Sequence, residues 1–142
     1  VTEIEGDLFA APNNCSLAHC VAADMKMGAG IAVKFKQKFG KVDELKGQKI
    51  SSGGVAVLKS DQRYIYYLVT KNGTYDKPTY DSLTSSLVAM KNHMKENQVN
   101  KVAMPRIGCG IDGLEWPKVK NILENTFNNQ NIEVIVYNFV PK

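Results

Sequence analysis

Residues 105–113 read PRIGCGIDG and lie between a short apolar run at residues 102–104 and a helical pattern that begins after Trp116 and Pro117. Three glycines in six positions let the backbone approach a ligand closely and adopt positive φ angles. The N–H groups of such a loop, next to the start of a helix, form an anion-binding site. Asp112 would repel a bound anion, so we predict that its carboxylate has a catalytic role at the edge of the site.

A second glycine-rich loop, MGAGIA at residues 27–32, follows a predicted buried strand at residues 16–23 and precedes a predicted helix at residues 33–39. A strand, a glycine turn and a helix in this order suit the binding of a phosphate or a ribose. The loop lacks the third glycine of a dinucleotide fingerprint and the Gly-Lys-Ser/Thr of a P-loop. His19, inside the preceding strand, is either a core histidine or a ligand contact.

Apolar periodicity predicts the remaining elements and an α/β sandwich with a mixed sheet. Leu83, Leu87, Met90 and Met94 mark one face of a helix that starts at Thr79 and ends near Asn97. The other predicted elements are an edge strand at residues 1–5, a helix at 42–49, an antiparallel hairpin of 55–58 with 64–69, a strand at 102–104, a helix after Pro117 and a last strand at 132–139.

Two charged residues at predicted turns keep alternative interpretations. Asp7 follows a glycine, and it either caps a turn or accepts hydrogen bonds from a ligand. Lys71 follows the second hairpin strand, and it is either a solvated loop lysine or a residue of a ligand site at a strand end.

The composition predicts one soluble globular domain spanning residues 1–142. Of the 142 residues, 44% are hydrophobic and 23% are charged, which is enough for a sizeable core. The net charge is +4, but the lysines are scattered, so they do not indicate a nucleic-acid-binding surface. The densest group, which comprises Lys34, Lys36, Lys38 and Lys41, is predicted to be a solvated helix face.

Cysteine and histidine usage predicts free thiols, a reducing compartment and no metal site. The three cysteines form no Cys-x-x-Cys pair, and their number is odd. His19 and His93 lack partners at metal-ligand spacing. No apolar run approaches about 18 residues, so no membrane span is expected.

Six motifs in this order and spacing resemble the macrodomain family, and within it the branch that removes terminal ADP-ribose from proteins. They are GDLF at 6–9, SLAHC at 16–20, MGAGIA at 27–32, YYLVTK at 66–71, KPTY at 77–80 and PRIGCGID at 105–112. The resemblance covers the chain from about residue 4 to residue 139. It implies a three-layer α/β/α fold with a six-stranded mixed sheet, and it implies an ADP-ribose cleft made by the two glycine loops.

The resemblance also implies roles for individual residues. Lys71 and Asp112 match the catalytic pair, with the lysine as nucleophile and the carboxylate as acid and base. Asp7 matches the residue that bonds the adenine amine, and Leu8 lies close to it. The other implied ligand-binding residues flank or form the two loops: His19, Met27, Gly28, Ala29, Gly30, Ile31, Ala32, Thr70, Pro105, Ile107, Gly108, Cys109, Gly110 and Ile111.

The implied activity is hydrolysis of the C1″ ester that joins terminal ADP-ribose to a protein Glu or Asp, with deacetylation of O-acetyl-ADP-ribose as a related reaction. Many macrodomain hydrolases carry Asn-Ala-Ala-Asn where this chain has residues 16–20, so the mechanism that uses that asparagine is not expected. A non-catalytic ADP-ribose reader and an ADP-ribose-1″-phosphatase remain alternatives.

The implied partners are ADP-ribose, ADP-ribosylated proteins and ADP-ribosylated nucleic acid as a substrate. No cofactor, metal or membrane is implied. We expect a monomer in the nucleus and cytoplasm, acting in the reversal of ADP-ribosylation and in the DNA damage response.

Overall fold

The computed structural model describes residues 1–138, apart from the side chain of Ile111. Two single 3-10 turns, Leu8–Ala10 and Gly110–Asp112, accompany ten longer elements. In chain order these are β1 (Thr2–Glu5), β2 (Ser16–Ala22), α1 (Ile31–Phe39), α2 (Val42–Gly47), β3 (Gly54–Ser60), β4 (Arg63–Lys71), α3 (Tyr80–Glu96), β5 (Lys101–Met104), α4 (Trp116–Phe127) and β6 (Glu133–Asn138).

The strands form a mixed six-stranded sheet in the order β1-β6-β5-β2-β4-β3. All neighbouring pairs are parallel except β3 and β4, which form an antiparallel hairpin. The mixed sheet, the hairpin and the edge position of β1 are confirmed. Because five strands run in the same direction, their carboxyl ends meet at one edge of the sheet, where ligand sites of α/β folds collect.

Side chains alternate between the two faces of the sheet, so each face carries its own hydrophobic core. Leu17, Ile65, Tyr67 and Val69 belong to the core that contains Phe35 of α1 and Leu45 of α2. On the opposite side, Ala18, Tyr66, Leu68 and Val102 pack with residues of α3 and α4. This arrangement confirms three layers. No helix within residues 1–138 is long and apolar enough to cross a membrane.

The predicted boundaries of the helices agree with local chemistry. The side chain of Thr79 accepts a hydrogen bond from the Ser82 amide at 3.0 Å, and Ser82 caps in return, so α3 begins where predicted. The predicted stripe from Leu83 to Met94 is fully buried. The predicted last strand begins one residue later than expected, at Glu133, and Phe139, its predicted end, lies outside the described residues.

His19 is a core residue, and its prediction as a ligand contact is wrong. Its side chain has no exposed surface and stacks on Phe35, with ring centroids 3.8 Å apart. The ring also meets the edge of Tyr67 on the neighbouring strand at 4.8 Å. The residue sits on the α1 face of β2, where it packs against Phe35 and Tyr67 of the core on that side.

Burial of His19 predicts a loss of stability below neutral pH. Burial lowers the pKa of His19 from its ordinary value of 6.5 to about 3. The folded state therefore holds the ring neutral while the unfolded state binds a proton. The contribution of the neutral His19 to the free energy of unfolding is fully present above pH 6.5 and is lost as the pH drops from 6.5 toward 3. We expect about 1.4 kcal/mol of unfolding free energy to be lost per pH unit below 6.5.

Urea denaturation between pH 7.5 and 5 measures this slope, and His19→Gln should flatten most of it. His93→Gln is the matched control, because His93 is only half-buried and bonds the Tyr66 hydroxyl at 2.8 Å. A slope that survives in His19→Gln but disappears in His93→Gln would assign the effect to the wrong histidine.

Candidate functional site

Lys71 and Asp112, which are 41 residues apart in the sequence, form an ion pair. Lys71 Nζ donates to Asp112 Oδ1 at 2.8 Å. The two side chains retain 13% and 18% of their surface, so the pair is largely desolvated but reachable. Lys71 is the last residue of β4. Asp112 ends the 3-10 turn in the loop at residues 105–113, which we call the first glycine loop; the loop at residues 27–32 is the second. The structure thus brings the two predicted catalytic residues into direct contact.

A register shift in the sheet places Lys71. Val21 of β2 pairs with Val69 of β4, but the next residue, Ala22, pairs with Lys71. One extra residue, Thr70, is therefore accommodated on β4, and such bulges change the direction of the following side chain. The Thr70 carbonyl accepts a 2.7 Å hydrogen bond from Ser82 Oγ, which anchors the strand end to the start of α3.

Gly108 sets the path of the first glycine loop. Its φ is +72°, a conformation that favours glycine, and a Cβ at this position would lie 2.7 Å from Leu114 Cδ1. The Leu114 amide donates to the Gly108 carbonyl at 2.9 Å, so the loop folds back on itself here. This turn delivers Asp112 to Lys71.

Gly108→Ala should therefore lower both the melting temperature and the rate of the ADP-ribose ester hydrolysis that the sequence implies. A left-handed alanine and the clash with Leu114 cost roughly 2–4 kcal/mol in all. Gly47→Ala is the control, because Gly47 ends helix α2 and a Cβ there meets nothing within 4 Å. Thermal denaturation and a turnover assay measure both effects, and an unchanged melting temperature in Gly108→Ala would contradict this account of the loop.

The second glycine loop leads into the N-terminus of α1. Gly30 adopts φ +62° and ψ −148° as the N-cap, and no side chain caps the helix. The first turn of α1 carries no acidic residue, so its free N–H groups can receive an anion. Gly28, Ala29 and Gly30 are exposed, which agrees with a role in ligand contact.

Asp24 holds this loop against the segment that follows Lys71, a role that no sequence pattern predicts. Its Oδ2 accepts from both the amide and the hydroxyl of Thr74, at 2.8 and 2.6 Å, and its Oδ1 accepts from the Lys26 amide at 3.1 Å. Partial burial would raise the pKa of Asp24, but the hydrogen bonds from Thr74 and Lys26 outweigh it and hold the pKa below its usual value. A charged Asp24 thus links the second glycine loop to the segment that follows Lys71.

A cleft of about 280 Å³ opens at the carboxyl ends of β1, β5 and β6. Five of the predicted ligand-binding residues line it: Asp7, Leu8, Gly30, Ile31 and Pro105. Five more lining residues were not predicted as ligand contacts: Phe9, Lys34, Arg106, Tyr137 and Asn138. The first glycine loop joins this cleft to the ion pair, because residues 105 and 106 lie in the cleft wall and Asp112 contacts Lys71.

Asp7 caps a turn, as one of its two interpretations predicted, and its bonding to a ligand stays a prediction. Its Oδ1 accepts a 3.0 Å hydrogen bond from the Phe9 amide and thereby caps the first 3-10 turn. The same residue lines the cleft. One carboxylate therefore shapes the turn and faces the space that a ligand would occupy.

Three further predicted ligand contacts have buried side chains, so direct contact through those side chains is corrected. Met27, Thr70 and Ile107 are 7%, 2% and 2% exposed. Met27 and Ile107 belong to the cores beneath the loops, and they support the loops rather than face a ligand. The side chain of Ile111, another predicted contact, lies outside the described part of the structure.

Ala32, Cys109 and Gly110 remain at least partly exposed on the two loops. Cys15, Cys20 and Cys109 are free thiols. Burial, with a contribution from the nearby Asp112 carboxylate, raises the pKa of Cys20 to about 12. Burial likewise raises the pKa of Cys109. These thiols therefore stay protonated near neutral pH, and they are poor nucleophiles beside the Lys71–Asp112 pair.

The Arg106 guanidinium, near the start of the first glycine loop, is engaged by Glu3 and Trp116. It contacts Glu3 Oε1 at 3.3 Å and lies 5.3 Å above the Trp116 ring. Within residues 1–138, no group of three or more His, Cys, Asp or Glu side chains is placed to hold a metal ion.

The fold and the site define an α/β/α protein with a ligand cleft at the carboxyl ends of its parallel strands. The chain belongs to the macrodomain family, and it matches the Macro domain over residues 13–123. It is 54% identical over 137 residues to ADP-ribose glycohydrolase OARD1 of Homo sapiens, covering 96% of this chain and 90% of that protein.

More distant relatives match nearly the whole length of this chain. A DNA ADP-ribosyl glycohydrolase of Thermus aquaticus is 26% identical over 94% of this chain, which spans 40% of that protein. The macrodomain of Mycobacterium tuberculosis DarG superposes with a TM-score of 0.87, at 23% identity, covering 99% of this chain and 97% of that structure. That superposition confirms the predicted macrodomain fold.

Proposed function

We propose that this protein hydrolyses the C1″ ester that joins terminal ADP-ribose to protein Glu or Asp side chains. The observation that carries the proposal is the 2.8 Å contact between Lys71 and Asp112 at the end of the first glycine loop. An amine and a carboxylate in contact next to an anion-binding loop provide a nucleophile and a proton acceptor. The similarity to ADP-ribose glycohydrolase OARD1 supports the same reaction class.

The chemistry follows from the nature of the bond. The C1″ carbon is anomeric and its carboxylate leaving group is stable, so the transition state has oxocarbenium character. Lys71 Nζ attacks C1″ as the C1″–O bond breaks, and the electron pair of that bond leaves with the carboxylate. The Asp112 carboxylate accepts a proton from the nitrogen during the attack.

Water completes the cycle. The hydroxyl of water joins C1″ while the electron pair of the N–C1″ bond returns to the lysine nitrogen, and the remaining proton of the water passes to solvent. ADP-ribose leaves, and the proton held by Asp112 returns to the lysine, which restores the ion pair. The contact between Lys71 and Asp112 keeps acceptor and nucleophile together through both steps. Because both side chains are largely buried, bulk water has little access to them and competes less with the reacting groups.

The substrate is held by the cleft and the two loops. The N-terminus of α1, which lacks a side-chain cap, and the amides of residues 108–111 suit the diphosphate. Asp7 and Leu8 line the cleft where we place the adenine. No cofactor takes part in this proposal.

Related substrates and the setting in the cell extend the proposal. O-acetyl-ADP-ribose carries an ester on the same ribose, and ADP-ribosylated DNA is supported by the Thermus aquaticus relative. We further propose that the protein is a monomer that acts in the nucleus and cytoplasm and in the DNA damage response. The three free thiols suit such a reducing compartment.

A panel of three substrates tests the proposal against its alternatives. We expect free ADP-ribose from a protein that carries a single Glu-linked ADP-ribose, and acetate from O-acetyl-ADP-ribose. Phosphate release from ADP-ribose-1″-phosphate, without ADP-ribose release from protein, would favour a phosphatase. Binding of ADP-ribose with none of the three reactions would identify a reader.

A further inference from the structure

Glu3, on the edge strand, accepts hydrogen bonds from three side chains that follow it by more than 100 residues. Its Oε1 accepts from the Arg106 guanidinium at 3.3 Å and from Trp116 Nε1 at 3.0 Å. Its Oε2 accepts from Lys120 Nζ at 2.8 Å. The Arg106 guanidinium also lies 5.3 Å above the Trp116 ring. We call Glu3, Arg106, Trp116 and Lys120 the Glu3 clamp.

The clamp joins the two ends of the first glycine loop. Arg106 lies at the entrance of the loop, just after β5, and Trp116 lies at its exit, where α4 begins. In the register of the sheet, Glu3 aligns with Val136 of β6, whose side chain faces α3 and α4. Glu3 therefore points toward the start of α4, and its carboxylate reaches residues on either side of the loop.

Charge strengthens this arrangement. The hydrogen bond from Lys120 is the main cause that lowers the pKa of Glu3, with Trp116 and Arg106 adding to it, so the carboxylate is ionised at neutral pH. Single exposed ion pairs contribute little, but three donors on one carboxylate restrict one another. Trp116 and Lys120 are one helical turn apart on α4, which fixes the start of that helix against the edge strand.

Arg106 connects the clamp to the ligand cleft, whose wall it forms together with Asp7, Leu8 and Pro105. We propose that Glu3 is a positioning residue, which holds Arg106 in the cleft wall and fixes the glycine loop for ADP-ribose. The inference rests on the proposed function, because ADP-ribose is its ligand. Glu3 acts on the ligand through Arg106 and the loop.

The sign of the effect separates positioning from simple charge. Glu3→Ala removes a negative charge near the cleft, and charge alone would then strengthen the binding of anionic ADP-ribose. If Glu3 positions the wall and the loop, its removal weakens binding instead. We expect the Kd for ADP-ribose and the KM to rise about threefold to tenfold. We expect kcat to stay within about twofold, because Lys71 and Asp112 still hold each other.

The test combines calorimetric titration of ADP-ribose, turnover kinetics and hydrogen exchange on the whole protein. In Glu3→Ala, the backbone amides of residues 107–113 should exchange faster than in the unchanged protein. Glu115→Gln is the matched control, because it breaks the ion pair with Lys118 at the same helix start and should leave binding and exchange unchanged. Glu3→Gln, which keeps an acceptor for Trp116, should have an intermediate effect.

A double-mutant cycle shows whether Glu3 acts through Arg106. If it does, adding Glu3→Ala to Arg106→Gln produces less than the full loss that Glu3→Ala causes alone. Unchanged or tighter binding in Glu3→Ala, with the melting temperature preserved, would overturn the inference and leave the proposed function intact. Absence of ADP-ribose binding by the unchanged protein would instead refute the proposed function.

Discussion

Replacing Lys71 with alanine should reduce the release of ADP-ribose from a Glu-linked substrate by about 1,000-fold or more. The amine that attacks C1″ is removed, and no other described nucleophile contacts Asp112 in its place. Lys71 is not among the residues that line the cleft, and its side chain bonds Asp112. The Kd for ADP-ribose should therefore change by no more than about threefold. Turnover assays and calorimetric titration measure the two quantities separately.

Two controls make the Lys71 result interpretable. Lys46→Ala removes the same charge from an exposed position on α2, and we expect it to retain full activity. Lys71→Arg keeps the positive charge beside Asp112 but cannot become a neutral amine, so it should be as inactive as alanine. Substantial activity in Lys71→Arg would show that this position acts electrostatically and not as a nucleophile.

Asp112→Ala should slow turnover by at least about 100-fold and leave ADP-ribose attached to Lys71. Without the carboxylate, Lys71 can still attack C1″ when its amine is neutral, but the step that returns the proton and admits water loses its acid and base. Intact mass spectrometry should then detect a covalent adduct after incubation with substrate, and peptide mapping should place it on Lys71.

The double variant Lys71→Ala, Asp112→Ala should form no adduct, which separates attachment at Lys71 from nonspecific modification of other lysines. Asp43→Ala, which removes an exposed carboxylate on α2, should behave like the unchanged protein. An adduct on a different lysine, or rapid turnover in Asp112→Ala, is incompatible with the proposed division of roles.

Local patterns in the sequence predicted the fold well because the spacing of apolar residues follows which side of an element is buried. The spacing of Leu83, Leu87, Met90 and Met94 follows the helical period, and all four are buried. Thr79 carries the chemistry of an N-cap in its own side chain. Such features depend on neighbours within a few residues, so a single sequence contains them.

The site was less predictable because its contacts join distant parts of the chain. Lys71 resembles an ordinary loop lysine until the bulge in β4 and the turn at Gly108 bring Asp112 to it. Asp24 meets Thr74 across 50 residues, and no periodic pattern marks such a pair. His19 was misplaced because its motif lies beside the site, whereas its side chain is fully buried against Phe35 in the core.

The most direct test of the central claim is the release of ADP-ribose from a protein that carries a single Glu-linked ADP-ribose. The released nucleotide is separated by chromatography, with the unchanged protein and Lys71→Ala compared at equal concentration. We predict that free ADP-ribose accumulates with the unchanged protein and stays at background with Lys71→Ala. Equal release by both proteins, or none by the unchanged protein despite measurable ADP-ribose binding, would contradict the account.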